Sequence, residues 1–444
     1  KRSIPLKAKD RTEDHPIVFG GGPVLTANPE PYCEFFDFII IGDAENIDTS
    51  IIDVIKANKH LPKSEVLKMV ADIKGIYVPS LTEYDETKGV TKKGGELLCI
   101  EKFSAPLSKC ISTPVLSEKS FFANTFVIEI VRGCPQRCGF CLASYLNLPA
   151  RFCDYDQIIA GIDFGLKYTN KIALLGALIT AHPRFDDICR HILKRKEDIP
   201  DLELSVSSLR ADSISPVIIQ TLVACGQKHS TIAIEAGSER LRKLINKNLS
   251  EKQIFETVKT AYENGLKGLK IYAMIGHPTE TKHDIDEMIA LAKKLKTSFK
   301  DFDFTFSFAT FVPKSHTPFQ FCERESVKSL EQKYEYLKKE FHKLGVKIRT
   351  SSVKWDYWQA LISRGDRRLC DYLVSVYKDG ANLGAFKQTY KNMYKQKLLP
   401  PSEEFALRKR DINENLPWDF IKMPPSKEAL IKEYQRLLGE CNKV

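Results

Sequence analysis

The sequence predicts an α/β fold: six strand–helix units forming a parallel sheet or barrel, preceded by an incomplete doubly wound domain and followed by a mainly helical extension. Three observations predict it. Six apolar runs alternate with helical stretches between residues 119 and 313. Several of those runs are apolar on both faces, as parallel strands covered by helices are. The first 50 residues have another texture, short strands broken by glycine turns and proline-rich segments. The expected boundaries are 1–50 for the doubly wound part, 51–118 for a helix and linker, 119–345 for the barrel and 346–444 for the extension.

The barrel strands are expected at 126–130, 171–179, 202–208, 230–237, 268–276 and 303–312. Their Ile, Val, Leu and Phe content suits buried strands. Between them "FDDICRHILKRKED" places apolar residues at helical spacing. "SEKQIFETVKTAYENG" opens with Ser250 and Gln253 in capping-box positions and closes on Gly265. "TKHDIDEMIALAKKLK" sets acids early and lysines late, which suits the helix dipole. Strand–helix alternation of this kind builds right-handed βαβ units whose ligands sit at the carboxyl ends of the strands. No internal repeat or low-complexity tract interrupts the pattern.

Composition narrows the function classes. The chain has 444 residues, 43% hydrophobic and 28% charged, the profile of an ordinary globular protein. No apolar run reaches the roughly 18 residues of a membrane span, so no membrane is expected. The net charge of +10 permits an anionic partner such as RNA, but the basic residues form scattered pairs and triplets rather than a nucleic-acid signature. Twelve cysteines fall far short of a disulfide scaffold, and a reducing cytoplasm or an organelle of similar poise fits them best. Cys189 and Cys225 read as small buried hydrophobes, and so does Cys153. The chain starts at Lys1 rather than Met, which reads as a trimmed or processed piece.

One cysteine group is different. "VRGCPQRCGFCLASY" sets Cys134, Cys138 and Cys141 directly behind the first strand. A structural zinc site takes four ligands, usually as two short-spaced cysteine pairs. The next cysteine, Cys153, lies beyond Pro149, and no histidine stands nearby. Three thiolates suit a 4Fe-4S cluster with one iron left open, and zinc with a distant fourth ligand is the alternative.

A CxxxCxxC motif with an aromatic, Phe140, before its third cysteine, at the end of the first strand of a βα series, resembles the radical S-adenosylmethionine (SAM) enzymes. The resemblance implies a TIM-like partial barrel in which Cys134, Cys138 and Cys141 hold a 4Fe-4S cluster whose open iron chelates SAM. It implies reductive cleavage of SAM to methionine and a 5′-deoxyadenosyl radical, and an electron donor such as ferredoxin or flavodoxin. It also assigns SAM contacts, besides Phe140, to the later strand ends. These are Gly176, the one glycine where relatives carry Gly-Gly-Glu; Ser207 in "SVSSLR"; Glu235 in "IEAGSERL", toward the ribose; and Ile275 and Gly276 in "YAMIGHPTET", toward the adenine. Apart from the resemblance, Ser207 is an ordinary strand cap and Glu235 an acid in need of a salt-bridge partner.

The flanks extend the resemblance. "VFGGGPVLTANPEPYCEFFDFIIIGDAEN" resembles the carboxyl-terminal part of the cobalamin-binding domain that precedes many radical SAM modules. It implies that domain's shape, with cobalamin as a third cofactor that many relatives of the fold lack. The cobalt-ligating Asp-x-His-x-x-Gly is expected ahead of Lys1, and His15 lacks its context. "ATFVPKSHTPFQF" resembles the closing stretch of a largely uncharacterised subgroup, and its Pro313, His316 and Pro318 read as a rigid turn with His316 as a candidate substrate contact. "GDRR" (365–368) is either a polar helix start or an anion clamp. The reading is a radical SAM enzyme acting on an unknown substrate, by cobalamin-dependent methyl transfer or by simple hydrogen abstraction. The alternative is a non-catalytic iron–sulfur or zinc protein that binds RNA or a protein partner.

Overall fold

Strand β1, Phe126–Arg132, alternates buried and half-buried side chains and begins a parallel series. In the computed structural model, which describes residues 4–107 and 109–439, β2 (Lys171–Gly176) pairs with β1 on one side and with β3 (Glu203–Val206) on the other. Strands β4 (His229–Glu235), β5 (Gly268–Ile275), β6 (Asp303–Thr310) and β7 (Lys347–Thr350) form a second parallel run in chain order. A parallel bridge from Leu209 to Ile232 joins β3 to β4. The strands therefore follow one another around an open barrel, each linked by helix to the next. The outer edge of β1 carries two short antiparallel segments, Ile111–Ser112 and Arg151–Phe152.

The connecting helices follow from local signals. They include α1 (Leu142–Leu146), α2 (Tyr155–Gly165), α3 (Phe185–Asp198), α4 (Pro216–Ala224), α5 (Glu239–Leu244), α6 (Glu251–Glu263), α7 (Lys282–Ser298) and α8 (Val327–Lys343). Asp154, Ser215, Ser238 and Ser326 each accept a backbone N–H at a helix start. The capping box of Ser250 and Gln253 forms as the sequence predicts, and Thr281 with Asp284 builds another. Ile232, Ile234, Ile271 and Phe306 are fully buried and pack with Leu295, Leu330 and Phe341 from the helices. Around β1 and β2 a second cluster gathers Ile128, Ile130, Ile172, Ile158 and Ile188. Cys189 and Cys225 are buried thiols in that cluster, as expected.

Cys153 corrects the sequence reading. It is buried, but it is disulfide-bonded to Cys110. The antiparallel edge segments on β1 bring residues 43 apart in sequence together, which no local spacing reveals.

The chain divides into two compact units. The barrel unit comprises 106–311, 325–353 and residues from 435 on; the other comprises 1–105, 312–324 and 354–434. In the second unit Phe19–Gly20 pairs in parallel with Phe38–Ile40, the arrangement of a doubly wound sheet. Ile76–Tyr77 adds an antiparallel third strand, beyond the 50 residues that the sequence reading assigns to this part. The expected linker holds helices Ile47–Ala57 and Lys63–Ala71 and a hairpin of Thr82–Asp85 with Gly89–Lys92. Residues 354–434 pack within the same unit as the early segment: Cys370, Phe420 and Ile421 lie against Cys33, Ile39, Ile41 and Tyr77. Among the described residues no helix is long and apolar enough to cross a membrane.

Candidate functional site

The cysteine loop leaves the carboxyl end of β1 at Gly133, whose φ of 88° suits glycine alone. A Cβ there would come within 2.5 Å of the Asn147 carbonyl oxygen. The loop is then tied at several points. Cys141 N–H donates to the Cys138 carbonyl at 3.0 Å, and Gly139 N–H to Ile245 at 2.9 Å. The Asn246 side-chain amide donates to the carbonyls of Arg137 and Gln136, and the Tyr145 hydroxyl also reaches Arg137. The turn after α5 thus clamps the peptide that carries the three thiols.

Burial and charge define the thiol environment. Cys138 is 6% exposed, and burial pushes its thiol up to about 12 while Lys247 and Arg210 pull against that shift. Burial also raises Cys134, opposed by a Gln136 N–H, the Ser144 hydroxyl and Arg210. Each of these thiols feels the charge of Cys141, so the three stand within electrostatic reach of one another. Arg210 is buried, donates to Asp212 at 2.6 Å and to the Lys247 carbonyl, and is fixed by both. A thiolate-held cluster is anionic, and an anion in a buried place needs compensating charge. Three thiols on one clamped loop with two buried cations fit such a group. Among the described residues no three His, Cys, Asp or Glu side chains form a single-ion site.

The other expected residues divide by what their polar atoms already do. Phe140 is half-buried, its ring centroid 6.2 Å from that of His277, which lies 6.1 Å from Phe311. Gly176 lies at a bulge opposite Val131, and its carbonyl accepts the Ser207 hydroxyl at 3.1 Å. Ser207 therefore spends its proton on the neighbouring strand end. Glu235 has a φ of 67°, uncommon for a side chain that is not glycine, at a bulge against β5. Its half-buried carboxylate pairs with buried Lys247 at 3.4 Å. Ile275 puts its side chain in the core and its carbonyl on Phe311 N–H. Gly276 has a φ of 79°, and a Cβ there would meet Leu330 at 2.7 Å. His316 and the "GDRR" stretch belong to the other unit. Arg367 holds buried Glu30, and Arg368 holds Asp366 and Glu86, so these arginines are committed to acids of the chain.

Several residues escaped sequence reasoning. Lys247, Arg210 and Asn246 lie outside the strand ends that draw attention. The signal for the clamp was the pair Asn246 and Asn248, a residue type that tolerates the left-handed region; both adopt positive φ. Glu280, four residues after Gly276, accepts the Gly276 N–H at 2.9 Å and pairs with Lys333 at 2.6 Å. His277 is 4% exposed, and burial lowers its pKa to about 4.

An open parallel barrel with three clamped cysteines after its first strand belongs to one class. Residues 128–292 match the radical SAM superfamily, and residues 1–79 match the N-terminal region of radical SAM proteins. The chain belongs to the radical SAM superfamily and is an enzyme of that family, whose cofactors are a 4Fe-4S cluster and SAM. Within it, the chain belongs to the family of an uncharacterized protein of Methanocaldococcus jannaschii, 32% identical over 369 residues, 82% of this chain and 75% of that protein. An uncharacterized methyltransferase of Pyrococcus horikoshii is 25% identical over 307 residues, 67% of this chain and 62% of that one. A solved structure of the cobalamin-dependent SAM radical enzyme OxsB, 14% identical, aligns with 96% of this chain and 66% of that chain at a TM-score of 0.47. The chain thus spans less than two thirds of the length of two of these three proteins.

Proposed function

We propose that the chain uses a 4Fe-4S cluster on Cys134, Cys138 and Cys141 to cleave SAM reductively and modify its substrate by radical chemistry. The observation that carries this reading is the cysteine loop clamped by Asn246 and Ile245, with Arg210 and Lys247 buried beside it. Held by Cys134, Cys138 and Cys141, the cluster would supply the electron for reductive cleavage of SAM, the source of the radical. The protein's part is binding, orientation and exclusion of water. Arg210 and Lys247 offset the anionic charge. Glu235 receives the ribose hydroxyls through the carboxylate oxygen that Lys247 leaves exposed. Gly276 admits a close approach of its backbone, held by Glu280, while Phe140, His277 and Phe311 wall the site against water. A low-potential protein such as ferredoxin or flavodoxin delivers the electron in a reducing cytoplasm.

The finer reading is cobalamin-dependent methyl transfer, to which residues 1–105 contribute part of the cofactor's domain but not the cobalt-ligating motif. Its support is the methyltransferase relative, the N-terminal match and the parallel pair of strands there.

Anaerobic reconstitution tests the first reading. About four irons per chain are expected, with 5′-deoxyadenosine formed from SAM under dithionite. Zinc in place of iron, or no deoxyadenosine, overturns it. Equilibrium dialysis with hydroxocobalamin tests the second. Weak binding is expected of the 444-residue chain, since the cobalt-ligating motif has no counterpart in it. Tight one-to-one binding would place a complete cobalamin site within these residues.

A further inference from the structure

The unit containing residues 1–105, 312–324 and 354–434 encloses a cavity of about 390 Å³ that the radical site does not account for. His316, Gln320 and Trp418 form one wall. His316 has a φ of 55°, a strained value for a histidine, and its backbone N–H donates to Gln320 Oε1 at 3.0 Å. The Trp418 indole donates to the same oxygen at 2.8 Å. Two donors on one amide oxygen fix which end of the amide is nitrogen. Gln320 is 2% exposed, and its Nε2 donates to no described residue.

The His316 ring is also partly uncommitted. It donates to the Ala27 backbone, and burial holds its pKa down to about 3, so the ring is neutral. Its Nε2 is buried with no hydrogen-bond partner, an acceptor by elimination. Buried Lys102 lies beside it, and exposed Lys422 lines the cavity on the strand that pairs with Ile100–Glu101. The acids of the lining are engaged. Asp419 holds Lys427 at 2.6 Å, Glu101 holds Lys74 at 3.0 Å, and Glu428 accepts the Ser426 hydroxyl and its own N–H. The groups facing this space with no partner among the described residues are therefore the Gln320 amide donor, the Lys422 ammonium and the acceptor His316 Nε2.

We propose that this cavity binds a small phosphorylated molecule, its phosphoryl group held by Lys422 and the Gln320 amide beside the positive charge of Lys102, with His316 Nε2 accepting from a P–OH. A monoanionic phosphate offers both charged oxygens and a hydroxyl donor, whereas a carboxylate offers only acceptors. The volume falls within the ~300–1,000 Å³ of small-molecule sites, enough for an organic group beyond the phosphoryl.

The test is calorimetric titration of the full chain with inorganic phosphate and with glycerol 3-phosphate at constant ionic strength. Saturable one-to-one binding is expected, with intrinsic fluorescence changing through Trp418. Lys422→Glu, on an exposed side chain, should weaken binding at least about tenfold, the scale of one charged hydrogen bond. His316→Phe should weaken it as well and, should that variant not fold, Lys422→Glu decides alone. No saturation, or equal binding by Lys422→Glu, would mean an adventitious ion only. Equal affinity for acetate would overturn the phosphoryl assignment.

Discussion

Glu235 shows how much one residue discloses in sequence. An acid inside "TIAIEAG" had to find either a ligand or a cation, and it finds Lys247. That partner was not legible, because the turn that returns the chain depends on Asn246 and Asn248 in the left-handed region. Glu235→Ala should weaken SAM binding by about 1–3 kcal/mol, the size of a charged hydrogen bond, with iron content unchanged. Unaltered SAM affinity in equilibrium binding would refute the ribose role. That Cys134, Cys138 and Cys141 sit together on one loop was legible from spacing alone, since a short loop is local. Cys153 was not, because its partner Cys110 reaches it only through edge pairing on β1. Cys134→Ala should lose the brown absorption and most of the iron, whereas Cys153→Ala should keep both.

At the scale of elements, the six barrel strands were readable because a parallel strand covered on both faces is a continuous apolar run. The strands of the other unit span two or three residues each and give no periodicity to read. Helix starts were readable where a side chain does the capping. Asp284, in the first turn of α7, is nearly fully buried; it accepts the Thr281 N–H and the Ser238 hydroxyl and pairs with Arg240 at 2.6 Å. Burial works to raise its pKa, but those hydrogen bonds hold it below the usual value. Asp284→Ala strands Arg240 and two donors, so denaturant unfolding should show a loss of about 3–5 kcal/mol, the cost of breaking a buried pair. The His316 turn carries a pH signature. Its pKa is about 3 when folded and near 6.5 when unfolded, so the unfolded chain binds the extra proton between those values. Its stabilisation is complete above the unfolded value and is lost as pH falls through that window. His316→Phe should make stability fall less steeply there, by about 1.4 kcal/mol per pH unit. Parallel slopes for variant and wild type would show that the ring is not buried neutral. Buried Glu30 and Glu280 have raised pKa values and act with the opposite sign, but they are common to both proteins.

For the whole molecule, the sequence marked residues 346–444 as a mainly helical extension but gave no sign of what they pack against. The partner lies hundreds of residues away: Arg367 meets Glu30, and Ile421 pairs with Ile100. A chain ending at residue 353 should therefore keep the strands of the barrel unit while exposing Ile39, Ile41 and Tyr77 of the first 105 residues. Limited proteolysis should cut that shortened chain within its first 105 residues and spare β1 to β6. Equal resistance there in both chains would show that the early segment is stable alone.

The interleaving of the two units also sets an order in time. The ribosome releases residues 1–105 before the rest of these residues, yet the side chains that complete their core arrive with residues 354–434. At about 5–20 residues per second the wait is roughly 15–65 s, far longer than a small domain needs to fold. The barrel unit, emerging in between, is the first to find most of its contacts. Residues 1–105 are thus made before the barrel unit and mature after it, and in that interval their apolar strands are a target for chaperones.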